Sequence, residues 1–196
     1  MRGFRIATVV GLIASIVAIG PRASSPADGA APVAPSRSYP LDLTGLVEPT
    51  GVALDGTGGV YVSTHFDHVE KLAADGVQTR LAFTGLDRPG GLEVGASGNV
   101  IVADTGNDRV VQLSGGSVQT TLALTGLSAP ADVAVDAAGD VFVADAGNDR
   151  IVELRADGNQ VVLPVSGLHN PSGIAVDGSG NVFVADTGND RVLRVS

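Results

Sequence analysis

Apolar side chains along most of this sequence come in short runs with a period of two. "VIVAD" at Val100, "VVQL" at Val110 and "DVAVD" at Asp132 alternate large and small or apolar and polar residues. Each run stops within six residues at Gly, Asn, Asp or Ser. Short alternating runs bounded by turn residues predict half-buried β-strands joined by tight turns, and leave no stretch long enough for an amphipathic helix.

The runs themselves recur. Thr44-Gly45-Leu46, Thr84-Gly85-Leu86, Thr125-Gly126-Leu127 and Ser166-Gly167-Leu168 follow one another at spacings of 40, 41 and 41 residues, and each is followed by a proline: Pro49, Pro89, Pro130 or Pro171. After the proline come strand a ("GVALD", "GLEVG", "DVAVD", "GIAVD") and a glycine-bearing turn. Strand b follows ("VYVS", "VIVAD" and "VFVAD" twice), then strand c ("VEKL", "VVQL", "IVEL", "VLRV"). Strand d is read at "TRLAF", "TTLAL" and "VVLPV". A unit of about forty residues with four antiparallel strands is a β-propeller blade. The expected fold is therefore all-β, a small propeller of four four-stranded blades, with repeats at 44–83, 84–124, 125–165 and 166–196 plus 39–43. The last repeat stops after strand c, and "YPLDL" (39–43) aligns with "TRLAF". The N-terminal segment is thus expected to supply the missing strand and close the ring, leaving no open sheet edge.

The pattern Pro-x-Gly-Ile-Ala-Val-Asp followed by Gly-Asn-Val-Phe-Val-Ala-Asp-Thr-Gly-Asn-Asp-Arg-Val resembles the NHL repeat, a propeller-blade family. The stretch "VVLPVSGLHNPSGIAVD" (161–177) is similar in particular to the sensor propeller of actinobacterial transmembrane serine/threonine kinases. That resemblance covers residues 39–196 and implies a sensor-like binding module. It implies no kinase activity, because no glycine-rich nucleotide loop, His-Arg-Asp loop or Asp-Phe-Gly motif occurs. Related sensor propellers have more blades, so an open arc, or two chains pairing to complete a larger ring, stands beside the closed monomer.

Ahead of the repeats, "MRGFR" precedes an uncharged run from Ile6 to Gly20. Fifteen helical residues reach about 22 Å, short of the roughly 30 Å hydrocarbon core of a bilayer. Residues 1–20 are therefore read as an export signal, or as an anchor if uncleaved, which would place the protein outside the cytoplasm. Residues 21–38 are rich in Pro, Ala and Ser and read as a disordered spacer. Four arginines against Asp28 give residues 1–38 a charge of +3, so the total of −9 places −12 on the rest. An acidic domain repels phosphate backbones, and nucleic acid is not an expected partner. The chain has no cysteine, which removes disulfides, thiolate metal sites and thiol nucleophiles.

The most chemical-looking motif recurs three times. "VADTGNDRV", "VADAGNDRI" and "VADTGNDRV" place Asp104, Asp145 and Asp186 at the end of strand b, and Arg109, Arg150 and Arg191 at the start of strand c. An active site breaks symmetry, whereas a fold repeats its solutions, so these six residues are assigned a structural role. Asp and Asn can satisfy free backbone groups of the b–c loop, and each Arg can pair with a nearby carboxylate, that of the adjoining blade being a candidate. Calcium is disfavoured: "DTGND" lacks the alternating Asp run and distal Glu of the familiar calcium loop.

The first repeat departs from the rule with "VSTHFDHV". In a closed ring of four, His65, Asp67, His68 and the distant His169 would share one face, making them candidate metal ligands or acid–base groups. The same face of loops is the candidate ligand surface, with His65, Phe66, His68, Asn107, Asn148, His169 and Asn189. Three functions follow. The first is a non-catalytic recognition module for a protein or cell-envelope ligand, monomeric or, if the ring stays open, homodimeric. The second is a unit of a larger assembly. The third is a metal-assisted lyase or hydrolase built on the histidine set. With no nucleophile motif present, the expectation is a non-enzyme that needs no cofactor, touching membrane only through residues 6–20 if these remain attached.

Overall fold

The computed structural model describes residues 40–196; the expected export signal, the spacer and Tyr39 lie outside the described residues. Fifteen strands form four antiparallel sheets. Blade 1 is β1 (Pro49–Leu54), β2 (Val60–Thr64), β3 (Val69–Leu72) and β4 (Gln78–Arg80). Blade 2 is β5 (Pro89–Val94), β6 (Val100–Asp104), β7 (Arg109–Ser114) and β8 (Val118–Thr121). Blade 3 is β9 (Pro130–Val135), β10 (Val141–Asp145), β11 (Arg150–Leu154) and β12 (Gln160–Val162). Blade 4 has β13 (Pro171–Val176), β14 (Val182–Asp186) and β15 (Arg191–Val195), and is three-stranded. This is the all-β, four-bladed propeller architecture the repeats predict.

Strands a and b form hairpins whose turns place Gly58, Gly98, Gly139 and Gly180 at φ of 78–90°, a conformation that glycine alone adopts without strain. The core lies between blades rather than within them. Ala134, Phe142, Ala144 and Ile151 on the trailing face of blade 3 pack against Leu168, Ile174, Val182 and Val184 on the leading face of blade 4. Equivalent clusters join blades 1 and 2 and blades 2 and 3. Fully burying one such side chain, as for Ile151 at 0% exposure, stabilises the junction by about 2–3 kcal/mol.

The expected closure does not form. Among the described residues, 40–43 hold no strand, and β15 is an edge. The innermost strands pack in series, β1 on β5, β5 on β9 and β9 on β13, with no comparable packing of β13 on β1. The reason is a shift in where strand d lies. The observed β4, β8 and β12 end at Arg80, Thr121 and Val162, so most of "LAF", "LAL" and "LPV" is a linker that crosses onto the next blade. Leu124 N–H donates to Leu122 O, and Val165 N–H to Leu163 O, each at 2.8 Å. Leu43 N–H donates to Leu41 O at the same 2.8 Å, and these leucines border β1 and β2. "PLDL" (40–43) thus repeats the linker and borders blade 1. In the repeat alignment the positions of β4, β8 and β12 end at Pro40, so the segment read as a strand is the linker.

Candidate functional site

The loops between strands b and c, and those entering strand a, share one rim. At the end of β6, Asp104 is fully buried and accepts three hydrogen bonds. Asp87 N–H donates at 2.7 Å, Asn107 Nδ2 at 2.9 Å and Arg109 Nε at 2.7 Å. Arg109 Nη2 also donates to Gly85 O at 2.9 Å, so the guanidinium ties strand c to the entry loop of the same blade. Asp145 repeats this with Ser128, Asn148 and Arg150, and Asp186 with His169, Asn189 and Arg191. The Arg partner is therefore within the blade, not in the adjoining one. Burial alone would raise the Asp186 carboxyl, but the His169 N–H, the Asn189 amide and the Arg191 guanidinium together hold it below the usual range. The glycine of "GND" is required: a Cβ on Gly106 would sit 2.7 Å from Asp87 O, while its N–H donates to that same oxygen at 2.8 Å.

The next aspartate joins blades. Asp108 Oδ1 accepts from Ala129 N–H at 2.7 Å, and Asp149 Oδ1 from Asn170 N–H at 2.6 Å. Ala129 and Asn170 immediately precede the blade prolines and have φ of 45° and 49°. That left-handed backbone, costly for Ala, is offset by a charge-assisted bond across the junction.

These bonds occupy three of the seven residues the sequence offers as a ligand surface. Asn107, Asn148 and Asn189 are each spent between a buried carboxylate and the carbonyl of Gly85, Gly126 or Gly167. In blade 1, Thr64 stands where the other blades have the buried aspartate, and His68 where they have arginine. His68 is buried; its Nδ1–H donates to Asp67 Oδ1 at 2.8 Å, which lowers the Asp67 pKa, and its Nε2 lies 3.8 Å from Glu70 Oε1 with no partner. His65 and Phe66 form the tip of this loop, edge to face at 5.8 Å, with Phe66 54% exposed. His169 is exposed at the entry to blade 4, 3.6 Å from Asp149. The open arc leaves it on the far side of blades 2 and 3 from His65 and His68. Among the described residues, no group of three or more His, Asp or Glu side chains is placed to hold a metal ion. The shared histidine site expected from a closed ring is not assembled.

A pair of acids on the inner strands lies outside the motifs read from the sequence. Asp132 on β9 is wedged between neighbouring blades. Its Oδ2 accepts from Ile174 N–H at 2.9 Å, and its carboxylate fills the space where a Cβ on Gly91 would stand. Burial pushes its pKa up to about 6, against the pull of the Ile174 and Val133 N–H groups. Glu93 on β5 is pushed up to about 7, by burial first and by the Asp132 charge in addition. A signal was present in the repeats. Asp132 occupies the position of Gly51, Gly91 and Gly173, and Glu93 that of Ala53, Ala134 and Ala175.

With this geometry established, the family of the individual blades can be named. Residues 127–154 and 168–194, blades 3 and 4, match the NHL repeat. No curated protein sequence matches the chain. Among solved structures the chain is similar to a nidogen/laminin complex (TM-score 0.71, 26% identity, over 80% of this chain and 62% of that one). It is also similar to a streptogramin B lyase (TM-score 0.67, 22% identity, 76% and 51%) and to virginiamycin B lyase from Staphylococcus aureus (TM-score 0.66, 19% identity, 76% and 52%). The chain spans about half to three-fifths of the length of these proteins. At such identities the lyases share the fold alone. They nevertheless overturn the expectation of a non-enzyme: the same architecture serves lyases, so the lack of a familiar nucleophile motif does not remove this chain from the enzymes.

Proposed function

We propose that the protein is an exported recognition propeller, sensor-like in the manner of its NHL relatives, that takes a protein or cell-envelope ligand on its rim of b–c and entry loops. The observation that carries this reading is the division of labour on the rim. Buried Asp–Asn–Arg clamps hold the loops rigid in blades 2 to 4, and His169 stands exposed at the entry to blade 4. Exposed Phe66 and half-buried His65 stand on the blade 1 loop, which is held instead by backbone bonds from His65 N–H to Glu48 O and from Arg88 N–H to Phe66 O. A rigid scaffold presenting an exposed aromatic is what protein recognition needs, because little side-chain freedom is lost on binding. The likeness to a structure solved as a nidogen/laminin complex supports a protein ligand. Envelope extract passed over immobilised protein tests the reading. A partner retained by the wild type and reduced at least tenfold by Phe66→Ala with His65→Ala supports the rim as the site. Retention unaffected by rim substitutions places binding elsewhere and refutes it. Detection of the protein only inside the cytoplasm would refute the exported role.

A further inference from the structure

Both ends of the arc carry faces built for a neighbouring blade, and the geometry points to a second copy of this chain as that neighbour, docked head to tail. This does not depend on the rim reading. The trailing face of blade 4 presents Phe183 and Val192, the counterparts of Phe142 and Ile151 in blade 3. Val192 is 58% exposed where Ile151 is 0%. The leading face of blade 1 presents Val52 at 59% exposure, where its counterparts Leu92, Val133 and Ile174 are 2–8% exposed. Val52 borders a shallow apolar groove shared with Leu41, Leu43 and Leu46. One departure interrupts this face: Glu70 stands in place of Val111, Val152 and Leu193, ion-paired at 3.2 Å with Arg80.

The polar groups at the two ends match as well, and the internal junctions show how they would bond. Leu81 N–H donates to Val69 O at 2.9 Å, Leu122 to Val110 at 2.9 Å and Leu163 to Ile151 at 3.0 Å. Leu41 N–H of a second copy is the equivalent donor for Val192 O. Thr105 Oγ1 donates to Pro130 O across the junction of blades 2 and 3; Thr187, its counterpart, turns back onto Ser172 and would reach Pro49 O of the second copy. Asp190 sits at φ 52°, as do Asp108 and Asp149, and Glu48 at φ 48°, as do Ala129 and Asn170 within a few degrees. Each end loop already has the conformation in which its internal counterparts bond. A heterologous contact closes only when the rotation from copy to copy completes a turn, so two arcs that each sweep half a ring close on themselves rather than growing.

The absence of cysteine makes the test direct. Leu41 and Val192 would be cross-strand partners about 5.5 Å apart at Cα, a separation that suits a disulfide. The full chain is prepared in mild detergent as the single variants Leu41→Cys and Val192→Cys, and oxidised. The expected result is a disulfide-linked dimer when the two are mixed and none when either is alone. Val192→Asp, at a site exposed within one chain, is expected to weaken association of the unmodified chain about 100-fold, the scale of a lost interface anchor, with its melting temperature as a monomer unchanged. No mixed cross-link, equal cross-linking of one variant with itself, or only intramolecular closure in the Leu41→Cys/Val192→Cys double variant would overturn the proposal.

Discussion

Glu93→Gln is expected to stabilise the protein, and to do so only where the wild-type side chain is charged. Glu93 replaces an alanine of the repeat between blades 2 and 3, and its pKa rises from 4.5 to about 7. The native state therefore holds a proton that the unfolded chain has already released. By linkage, stability falls as pH rises through that window and stays lower above it. Moving the carboxyl from 4.5 to about 7, at about 1.36 kcal/mol for each tenfold change in proton affinity, costs about 3 kcal/mol at pH 8 and under about 1 kcal/mol at pH 5. Glu93 keeps some contact with water, so the larger figure is an upper bound. Glutamine is nearly isosteric and stays neutral, which removes the cost of ionisation. For a folded region of this size the gain at pH 8 corresponds to about 6–12 °C in Tm. Thermal unfolding of wild type and variant at pH 5 and pH 8, followed by circular dichroism, measures it. A difference that is the same at both pH values, or a variant less stable at both, would show that the carboxyl is not held in the buried setting described. Adding Asp132→Asn should give less than the sum of the two effects, because the Asp132 charge is one cause of the Glu93 shift.

Other expectations follow from the clamps. Asp145→Ala leaves Arg150, Asn148 and the Ser128 N–H without their buried acceptor, and should cost about 3–5 kcal/mol in denaturant unfolding, as breaking a buried pair does. Asp186→Ala should cost less, since Arg191 is 43% exposed against 28% for Arg150. The Asp186 carboxyl is held below its ordinary 3.8, so its contribution is complete above about pH 4 and is lost as pH falls through the lower folded value; Asp186→Asn should flatten the acid limb of the stability profile relative to wild type. Gly106→Ala forces a methyl against Asp87 O and should lower stability by about 1–3 kcal/mol, whereas Gly98→Ala, in the a–b turn at φ 78° with nothing within 4 Å, should cost about 1 kcal/mol for backbone strain alone.

The sequence alone determined the blades. Hairpins a–b and b–c form between residues fewer than twenty positions apart, so alternation, turn glycines and the recurring proline were enough to place strands a to c. Strand d was misplaced toward the linker because "TRLAF" alternates equally well as a strand or as a cover for the next blade. Only packing on that blade distinguishes the two. The threefold Asp-Asn-Arg motif was visible as a repeat, but which carboxylate each arginine meets is a matter of three-dimensional contact. The seam, the separation of His169 from His65 and His68, and the burial of Glu93 and Asp132 were decided by tertiary structure. Each depends on the angle between successive blades, and that angle is set by side chains wedged between sheets some forty residues apart, where no local pattern in the chain records it.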